Sequence, residues 1–232
     1  MCAKGSESKR FSLFKIPYPP NPDFVGRTEI LASIHLHLNA KPSFTSSFSL
    51  YGLGGVGKTQ IAIQYAYEHR KDFDIICWLR ANDCNKLVSS YVELSHDDDL
   101  ISLGAPRLQD EQDSLVIAKQ LKSWFESETG LKWLLIFDNA DKLDDAEEAF
   151  NIGLVDLIPR AQSGSVLVTS RNRASVRKLA KDGCEVEEMK EDEAVQLLLK
   201  CSKCGESERN EQILVQSLGY LPLAIEQAGS FI

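Results

Sequence analysis

The stretch "GLGGVGKT" at residues 52–59 carries residue types that suit phosphate binding. Its spacing fits the pattern GxxxxGK[ST] in full, with a strand-like segment before it and an amphipathic helical pattern after it. Glycines let backbone N–H groups turn inward around a phosphate, and the following helix adds the positive end of its dipole. Lys58 supplies a cation to the β- and γ-phosphates, and the Thr59 hydroxyl is a ligand for Mg²⁺. The nucleotide contacts predicted from this loop are Gly52, Gly54, Gly55, Val56, Gly57, Lys58, Thr59 and Gln60.

An acidic motif, "LLIFDNAD" at residues 134–141, supplies the second half of the predicted chemistry. Its apolar strand ends at Asp138, a carboxylate that can hold Mg²⁺ through water, so Thr59 and Asp138 form the predicted metal site. Asp141 lies three positions further on, close enough to orient or deprotonate an attacking water. Asn139 cannot act as a base, because an amide takes no proton near neutral pH. The alternative for Asp141 is a turn residue or a helix cap.

A third candidate, Arg171, comes directly after the strand pattern "VLVTS". At the carboxyl end of a parallel strand its side chain would project toward the ligand crevice, where it could sense the γ-phosphate. Arg173, two positions further on, is the competing residue. The predicted catalytic set is Asp141, Asp138, Lys58 and Arg171.

The elements that must position these residues alternate between strand and helix patterns. The predicted strands are 48–51, 74–81, 132–138, 165–170 and 184–189. Alternation of this kind favours a parallel sheet with helices on both faces. A strand between the loop strand and the Asp138 strand is typical of additional-strand ATPases. The predicted fold is therefore an α/β P-loop NTPase sandwich of three layers, with a five-stranded parallel sheet in the order 5-1-4-3-2.

Three segments follow from the change of pattern along the chain. We expect an N-terminal linker at 1–20 and a nucleotide-binding domain at 21–190. At 191–232 the pattern is helical only and predicts a first helical subdomain. Because the sequence stops within an apolar helical pattern without a capping signal, we expect that subdomain to be partial.

The net charge, the length of the apolar runs and the cysteines limit the classes of partner and the location that we expect. The 232 residues carry a net charge of −8, which argues against non-specific nucleic-acid binding. No apolar run approaches the ~20 residues of a membrane helix, so we expect no membrane partner and a cytoplasmic location. Six scattered cysteines favour a reduced protein. Cys201 and Cys204 form a lone CxxC pair without the four ligands of a structural zinc site, and are interpreted as unconnected thiols on one helical turn.

Five motifs in a fixed order resemble the NB-ARC family of STAND ATPases. They are "FVGRTEIL" (24–31), "GLGGVGKT" (52–59), "LLIFDNAD" (134–141), "GSVLVTSR" (164–171) and "LGYLPLAIEQAG" (218–229). This family is the switch module of NOD-like receptors, plant resistance proteins and apoptotic protease-activating factors. The stretches "FDNAD" (137–141) and "GYLPLAIEQAGSFI" (219–232) most resemble the NB-ARC proteins of filamentous fungi.

The resemblance implies binding of ATP or ADP with Mg²⁺. It places Val25 and Arg27 near the adenine and Pro222, with Gly219, in the motif that closes over the base. It also implies partners: the rest of the receptor chain (an effector domain, a second helical or winged-helix part and sensor repeats) and further copies of the protein in an activated homo-oligomer.

Two departures from the family pattern bear on activity. Plant members carry two adjacent acids where this sequence has Asp138 and Asn139, whereas Asp141 stands where the related NACHT family has an acid. Three functions remain open from the sequence: a nucleotide-operated switch with slow ATP hydrolysis, a module that retains ADP with negligible turnover, and a metabolic P-loop kinase.

Overall fold

A parallel sheet between two layers of helices forms the larger part of the molecule. A computed structural model describes residues 13–39, 45–108, 113–127, 130–142, 152–202 and 208–231. The strands are β1 (Leu13–Lys15), β2 (Ser46–Tyr51), β3 (Ile75–Arg80), β4 (Trp133–Asp138), β5 (Gly164–Ser170) and β6 (Asp182–Glu185). The helices are α1 (Thr28–Asn39), α2 (Lys58–Glu68), α3 (Cys84–Ser95), α4 (Asp98–Ser102), α5 (Ser114–Glu126), α6 (Ser175–Lys178), α7 (Glu191–Ser202), α8 (Glu208–Ser217) and α9 (Pro222–Gly229). Short 3₁₀ turns cover Arg70–Asp72 and Leu154–Leu157.

The strands lie side by side in the order β1-β3-β4-β5-β2-β6. Read from the other edge, the last five of these follow the predicted order 5-1-4-3-2, so the fold class is confirmed. The predicted strand count of five was wrong, because β1 pairs in parallel with β3 at the edge of the sheet. This strand lies within the segment predicted as a linker. The predicted strand 184–189 is also displaced, since β6 ends at Glu185.

The register of the parallel strands brings the carboxyl ends of β2, β4 and β5 together on the same side of the sheet. Tyr51, the last residue of β2, pairs with Ser170, the last residue of β5. In the neighbouring pair, Phe137 of β4 is opposite Val168 of β5, which sets Asp138 beside Thr169. The phosphate-loop motif follows the carboxyl end of β2, the acidic motif spans the carboxyl end of β4, and Arg171 follows the carboxyl end of β5. In open α/β sheets, ligands bind in the crevice at the carboxyl ends of the strands.

Successive side chains along the strands point alternately into two separate hydrophobic cores, one on each face of the sheet. In β4, Trp133, Leu135 and Phe137 pack against α3 and α5, whereas Leu134 and Ile136 pack toward α1 and α2. Every residue of β4 is buried, as expected for a central strand covered on both faces. The apolar run "WLLIF" therefore reflects burial on both sides.

Helices α7, α8 and α9 form a third core, to which Val25 and Met189 contribute from outside the helices. Ala194, Leu197 and Leu198 of α7 pack with Ile225 of α9. Val25, from the chain segment before α1, is buried in the same cluster. This packing joins helices α7–α9 to the chain segment that precedes α1.

Two further expectations concern the CxxC pair Cys201 and Cys204 and the membrane. Cys201 lies near the end of α7 as a free, half-buried thiol, and Cys204 falls outside the described residues. Across the described residues, no helix combines the length and apolar character needed to span a bilayer.

Candidate functional site

The loop at residues 52–57 joins β2 to α2 and presents its backbone toward a cleft. Gly57 precedes α2 with φ 96°, a left-handed conformation that favours glycine, and no side chain caps the first N–H groups of α2. A Cβ on Gly52 would lie 2.4 Å from the Val186 carbonyl oxygen, so the loop entrance also needs glycine. A helix N-terminus without a capping side chain can bind an anion through its backbone.

Lys58 is the buried cation of this loop. Its Nζ donates to the carbonyl oxygens of Gly52 at 2.8 Å and Leu53 at 2.6 Å. Burial lowers the pKa of Lys58, and the nearby Asp141 carboxylate opposes that shift. The ammonium is therefore held within the loop itself, at the end of the cleft where phosphates would lie.

Asp138, at the end of β4, is the buried carboxylate of the site. Its Oδ1 accepts hydrogen bonds from the Thr59 hydroxyl at 2.9 Å and the Thr169 hydroxyl at 2.7 Å. Its Oδ2 accepts from Asn139 Nδ2 at 3.1 Å. Burial raises the pKa of Asp138, while the two threonine hydrogen bonds lower it. Thr59 and Asp138 thus present adjacent oxygen atoms, the ligand type that Mg²⁺ prefers.

Asp141 and Arg171 are in direct contact beside this carboxylate. Asp141 Oδ1 accepts from the Arg171 backbone N–H at 2.6 Å and from the Ser170 hydroxyl at 3.3 Å. Arg171 Nε lies 3.4 Å from Asp141 Oδ2. The Arg171 guanidinium carbon is 3.7 Å from the point where a Cβ on Gly54 would stand, so this side chain borders the loop. The competing Arg173 instead lies over the Tyr51 ring at 6.0 Å.

Helix α9 covers the other side of the cleft. Pro222, the first residue of α9, lies over the loop, with its Cγ 3.7 Å from the Cβ position of Gly57. The next residue, Leu223, donates its N–H to the Gly55 carbonyl at 3.3 Å. Asn21 Nδ2 donates to Glu226 Oε1 at 3.1 Å.

Arg27 lines the cleft, but its guanidinium hydrogen-bonds backbone carbonyls. Nη2 donates to Val56 O at 3.2 Å and Glu187 O at 2.9 Å, and Nη1 donates to Glu188 O at 3.4 Å. Burial lowers the pKa of Arg27, and the carboxylates of Glu193 and Glu188 oppose that shift. Its neighbour Val25 contributes an apolar surface.

The cleft has a volume of about 310 Å³, at the lower end of the range for small-molecule sites. The sequence-predicted residues that line it are Val25, Arg27, Gly54, Gly55, Val56, Gly57, Lys58, Thr59, Gln60, Arg171 and Pro222. Gly52, Asp138 and Asp141 stand behind this lining and contact it through the hydrogen bonds and ion pair above. The residues that the sequence reasoning missed are Asn21, Phe24, Ile61, Asn139, Met189, Leu197, Leu223 and Glu226.

Some of the missed residues had a local signal. Leu197 belongs to the apolar face of α7, and Leu223 follows Pro222 in "GYLPLA". Asn21, Met189 and Glu226 had none, because they reach the cleft through contacts between distant parts of the chain.

Comparison with known proteins gives one family and several relatives. The NB-ARC domain model matches residues 27–208. A nucleotide-binding leucine-rich repeat (NLR)-like protein of Hyaloscypha variabilis is 32% identical, covering 94% of this chain and 23% of the relative. The regulatory protein AfsR of Streptomyces griseus is 28% identical, covering 90% and 21%. The chain thus spans less than a quarter of the length of these curated relatives.

Two solved structures share the fold. A signal transduction ATPase with numerous domains (STAND) and a tetratricopeptide repeat sensor, from Pyrococcus horikoshii, has a TM-score of 0.53 and 22% identity, covering 89% of this chain and 30% of that one. A Walker-type ATPase of Pyrococcus abyssi has a TM-score of 0.65 and 14% identity, covering 95% and 70%. At these identities the similarity concerns the fold alone.

Proposed function

This chain belongs to the NB-ARC domain family, and from that premise we propose that it is the nucleotide-operated switch module of a NOD-like-receptor-type signalling protein. ADP holds the resting state, ATP permits homo-oligomerisation, and slow Mg²⁺-dependent hydrolysis returns the switch to rest. The effector and sensor parts belong to the longer receptor chain, and the protein acts in the cytoplasm without binding nucleic acid. The relative of Hyaloscypha variabilis, described as NLR-like, supports this reading.

One observation carries the nucleotide proposal. The uncapped N-terminus of α2, the Lys58 ammonium and the Thr59–Asp138 pair converge at one end of a single cleft. These donors suit the three parts of a magnesium nucleotide: backbone N–H groups for the β-phosphate, a cation for the terminal phosphates and two oxygens for the metal. Mg²⁺ held by Thr59 and Asp138 would neutralise charge that develops on the phosphates.

The remaining residues of the site have separate proposed roles. Asp141 accepts a proton from water or orients it, and Arg171 contacts the γ-phosphate from the border of the loop. Asp138, held by two hydroxyl donors, stays fixed as a metal ligand. Lys58 must leave the carbonyl oxygens of the loop in order to reach a phosphate, and those carbonyl contacts keep it near the site.

The apolar part of the cleft lining suits an adenine base. Val25, Met189, Leu197 and Pro222 provide an apolar wall, and the sequence has no NKxD-type motif for reading guanine. We expect ADP to displace a fluorescent ADP analogue from the protein at much lower concentration than GDP does. Comparable displacement by GDP would contradict adenine selectivity. Mass spectrometry of nucleotide released by denaturing the purified protein provides an independent check.

A second candidate function follows from the position of Asp141. Its Oδ1 is already engaged by the Arg171 backbone N–H and approached by the Ser170 hydroxyl, which is the pattern of a structural cap. On that reading the protein retains ADP and hardly turns over. Release of phosphate under single-turnover conditions distinguishes the two, because the retaining module produces none.

A further inference from the structure

We propose that Glu193 is a positioning residue that holds Arg27 in the wall of the cleft and thereby sets the rate at which nucleotide leaves. Glu193 lies in the first turn of α7, whereas Arg27 belongs to the nucleotide-binding domain. The inference rests on the proposed nucleotide binding and adds the contact that controls release.

The backbone at Arg27 is in a conformation that needs support. Gly26 has φ 66° and Arg27 has φ 60°, a left-handed conformation that is uncommon for residues other than glycine. The Arg27 carbonyl accepts from Leu31 N at 3.0 Å, so Arg27 is the residue that directly precedes α1. Its own N–H donates to Glu193 Oε1 at 3.1 Å. The carboxylate packs so closely that a Cβ on Gly26 would lie 2.1 Å from Glu193 Oε1.

The side chain of Arg27 extends this contact to the phosphate loop. Its guanidinium donates to Val56 O and to the carbonyls of Glu187 and Glu188, in the connection between β6 and α7. Arg27 therefore joins three parts of the molecule: the loop, the connection and, through Glu193, the helical subdomain. Arg27 and Val56 both line the cleft.

The charge of Glu193 suits this position. Its carboxylate lies at the N-terminus of α1 and in the first turn of α7, and the positive end of each helix dipole favours a negative charge there. Leu197, one turn further along α7, also lines the cleft. Any movement of α7 that opens the cleft at Leu197 must break the hydrogen bond between Glu193 and Arg27. The contact couples closure of the subdomain to the position of Arg27.

The test is the release rate of a fluorescent ADP analogue, with Mg²⁺, chased by excess ADP in stopped flow. Glu193→Ala removes the acceptor, whereas Glu193→Gln keeps an oxygen and loses the charge. We expect release from Glu193→Ala to be about tenfold to a hundredfold faster, as for loss of one hydrogen bond to a charged group, with Glu193→Gln between it and the parent. Arg27→Lys keeps the charge but cannot bond all three carbonyls, and we expect faster release here too. Asp192→Asn, the exposed acid one residue earlier, is the matched control and should release at the parent rate.

The association rate and the melting temperature separate positioning from a general structural role. Positioning predicts a faster release with little change in the association rate, because Arg27 has to be held while nucleotide is bound. A lowered melting temperature with release at the parent rate would instead indicate a structural role alone. Release from Glu193→Ala at the parent rate would overturn the proposal, as would an equal acceleration in Asp192→Asn. A parent protein that shows no saturable binding of the analogue would instead refute the nucleotide-binding function itself.

Discussion

Replacement of Asp141 by asparagine separates a catalytic base from a structural cap. The substitution keeps an oxygen that can accept the Arg171 N–H at 2.6 Å, and it removes the ion pair to Arg171 Nε at 3.4 Å. The Arg171 side chain is 71% exposed, so this ion pair contributes at most about 1 kcal/mol. For a chain of this length such a loss lowers the melting temperature by about 2–4 °C or less.

The effect on hydrolysis should be far larger if Asp141 is the base. Removal of a general base costs about 10²–10⁴-fold in rate, which corresponds to about 2.7–5.5 kcal/mol of barrier height. The parent rate should itself be slow, on the order of 10⁻⁴–10⁻² per second, as in P-loop NTPases without a supplied arginine finger. Single-turnover hydrolysis with protein in excess over ATP measures this rate, and calorimetry checks that ADP affinity is retained.

Asp156 offers a matched control for the loss of a cap. Its Oδ2 accepts the Gly153 N–H at 2.9 Å in a turn away from the cleft, so Asp156→Asn removes the same kind of charge without touching the site. Hydrolysis by Asp141→Asn at the parent rate would refute the catalytic assignment and place the base elsewhere. Absence of hydrolysis in the parent protein would favour the ADP-retaining module.

Two further predictions concern Asp138 and its partners. Thr169→Val removes the 2.7 Å hydrogen bond to Asp138 and should weaken Mg²⁺-dependent ADP binding about 10–100-fold in calorimetry, whereas Thr169→Ser should retain it; equal affinity in both variants would contradict the positioning of this carboxylate. Burial raises the pKa of Asp138, so the folded chain binds this proton more tightly than the unfolded chain does, and the Asp138 contribution to stability falls as pH rises from the ordinary value of 3.8 through the raised value. Denaturant unfolding without nucleotide and Mg²⁺ tests this: the unfolding free energy of Asp138→Asn should not show that decrease with pH, and the variant should be no less stable than the parent at pH 7. A clear loss of stability at pH 7 would contradict the burial argument.

The central part of the site could be predicted because its signals are local in sequence. The spacing of the loop fixes which residues begin α2, and the apolar run of β4 ends at the acid that closes it. In a parallel sheet, the carboxyl ends of β2 and β4 lie on the same side, so the contact between Thr59 and Asp138 follows from the topology. The assignment of Arg171 rested on the same argument.

The misplaced strands had weak local signals. β1 consists of three residues at the edge of the sheet, next to a proline-bearing segment, and its stability comes from pairing with β3. β6, with the sequence "DGCE", has no fully buried residue and lacks apolar alternation. The apolar residues Val186 and Met189 follow it, and they drew the prediction toward the wrong end of the segment.

The contacts that close the cleft could not be predicted from the sequence. Asn21 meets Glu226 across 205 positions of the chain, and Arg27 meets Glu193 across 166. Each is a polar pair between side chains or backbone groups that also suit solvent exposure, so neither leaves a pattern in the local sequence. Only the packing of the third core brings these residues within hydrogen-bond distance.

Calorimetric titration of ADP with Mg²⁺ into the parent chain and Lys58→Ala tests the central claim most directly. The Lys58 ammonium is the one cation placed within the loop in the part of the chain that the structure describes, and a hydrogen bond to a charged group contributes about 1.5–3 kcal/mol. We predict saturable binding by the parent, affinity about tenfold or more weaker in Lys58→Ala, and parent affinity in the exposed control Lys71→Ala. Unchanged affinity in Lys58→Ala would contradict nucleotide binding at this loop.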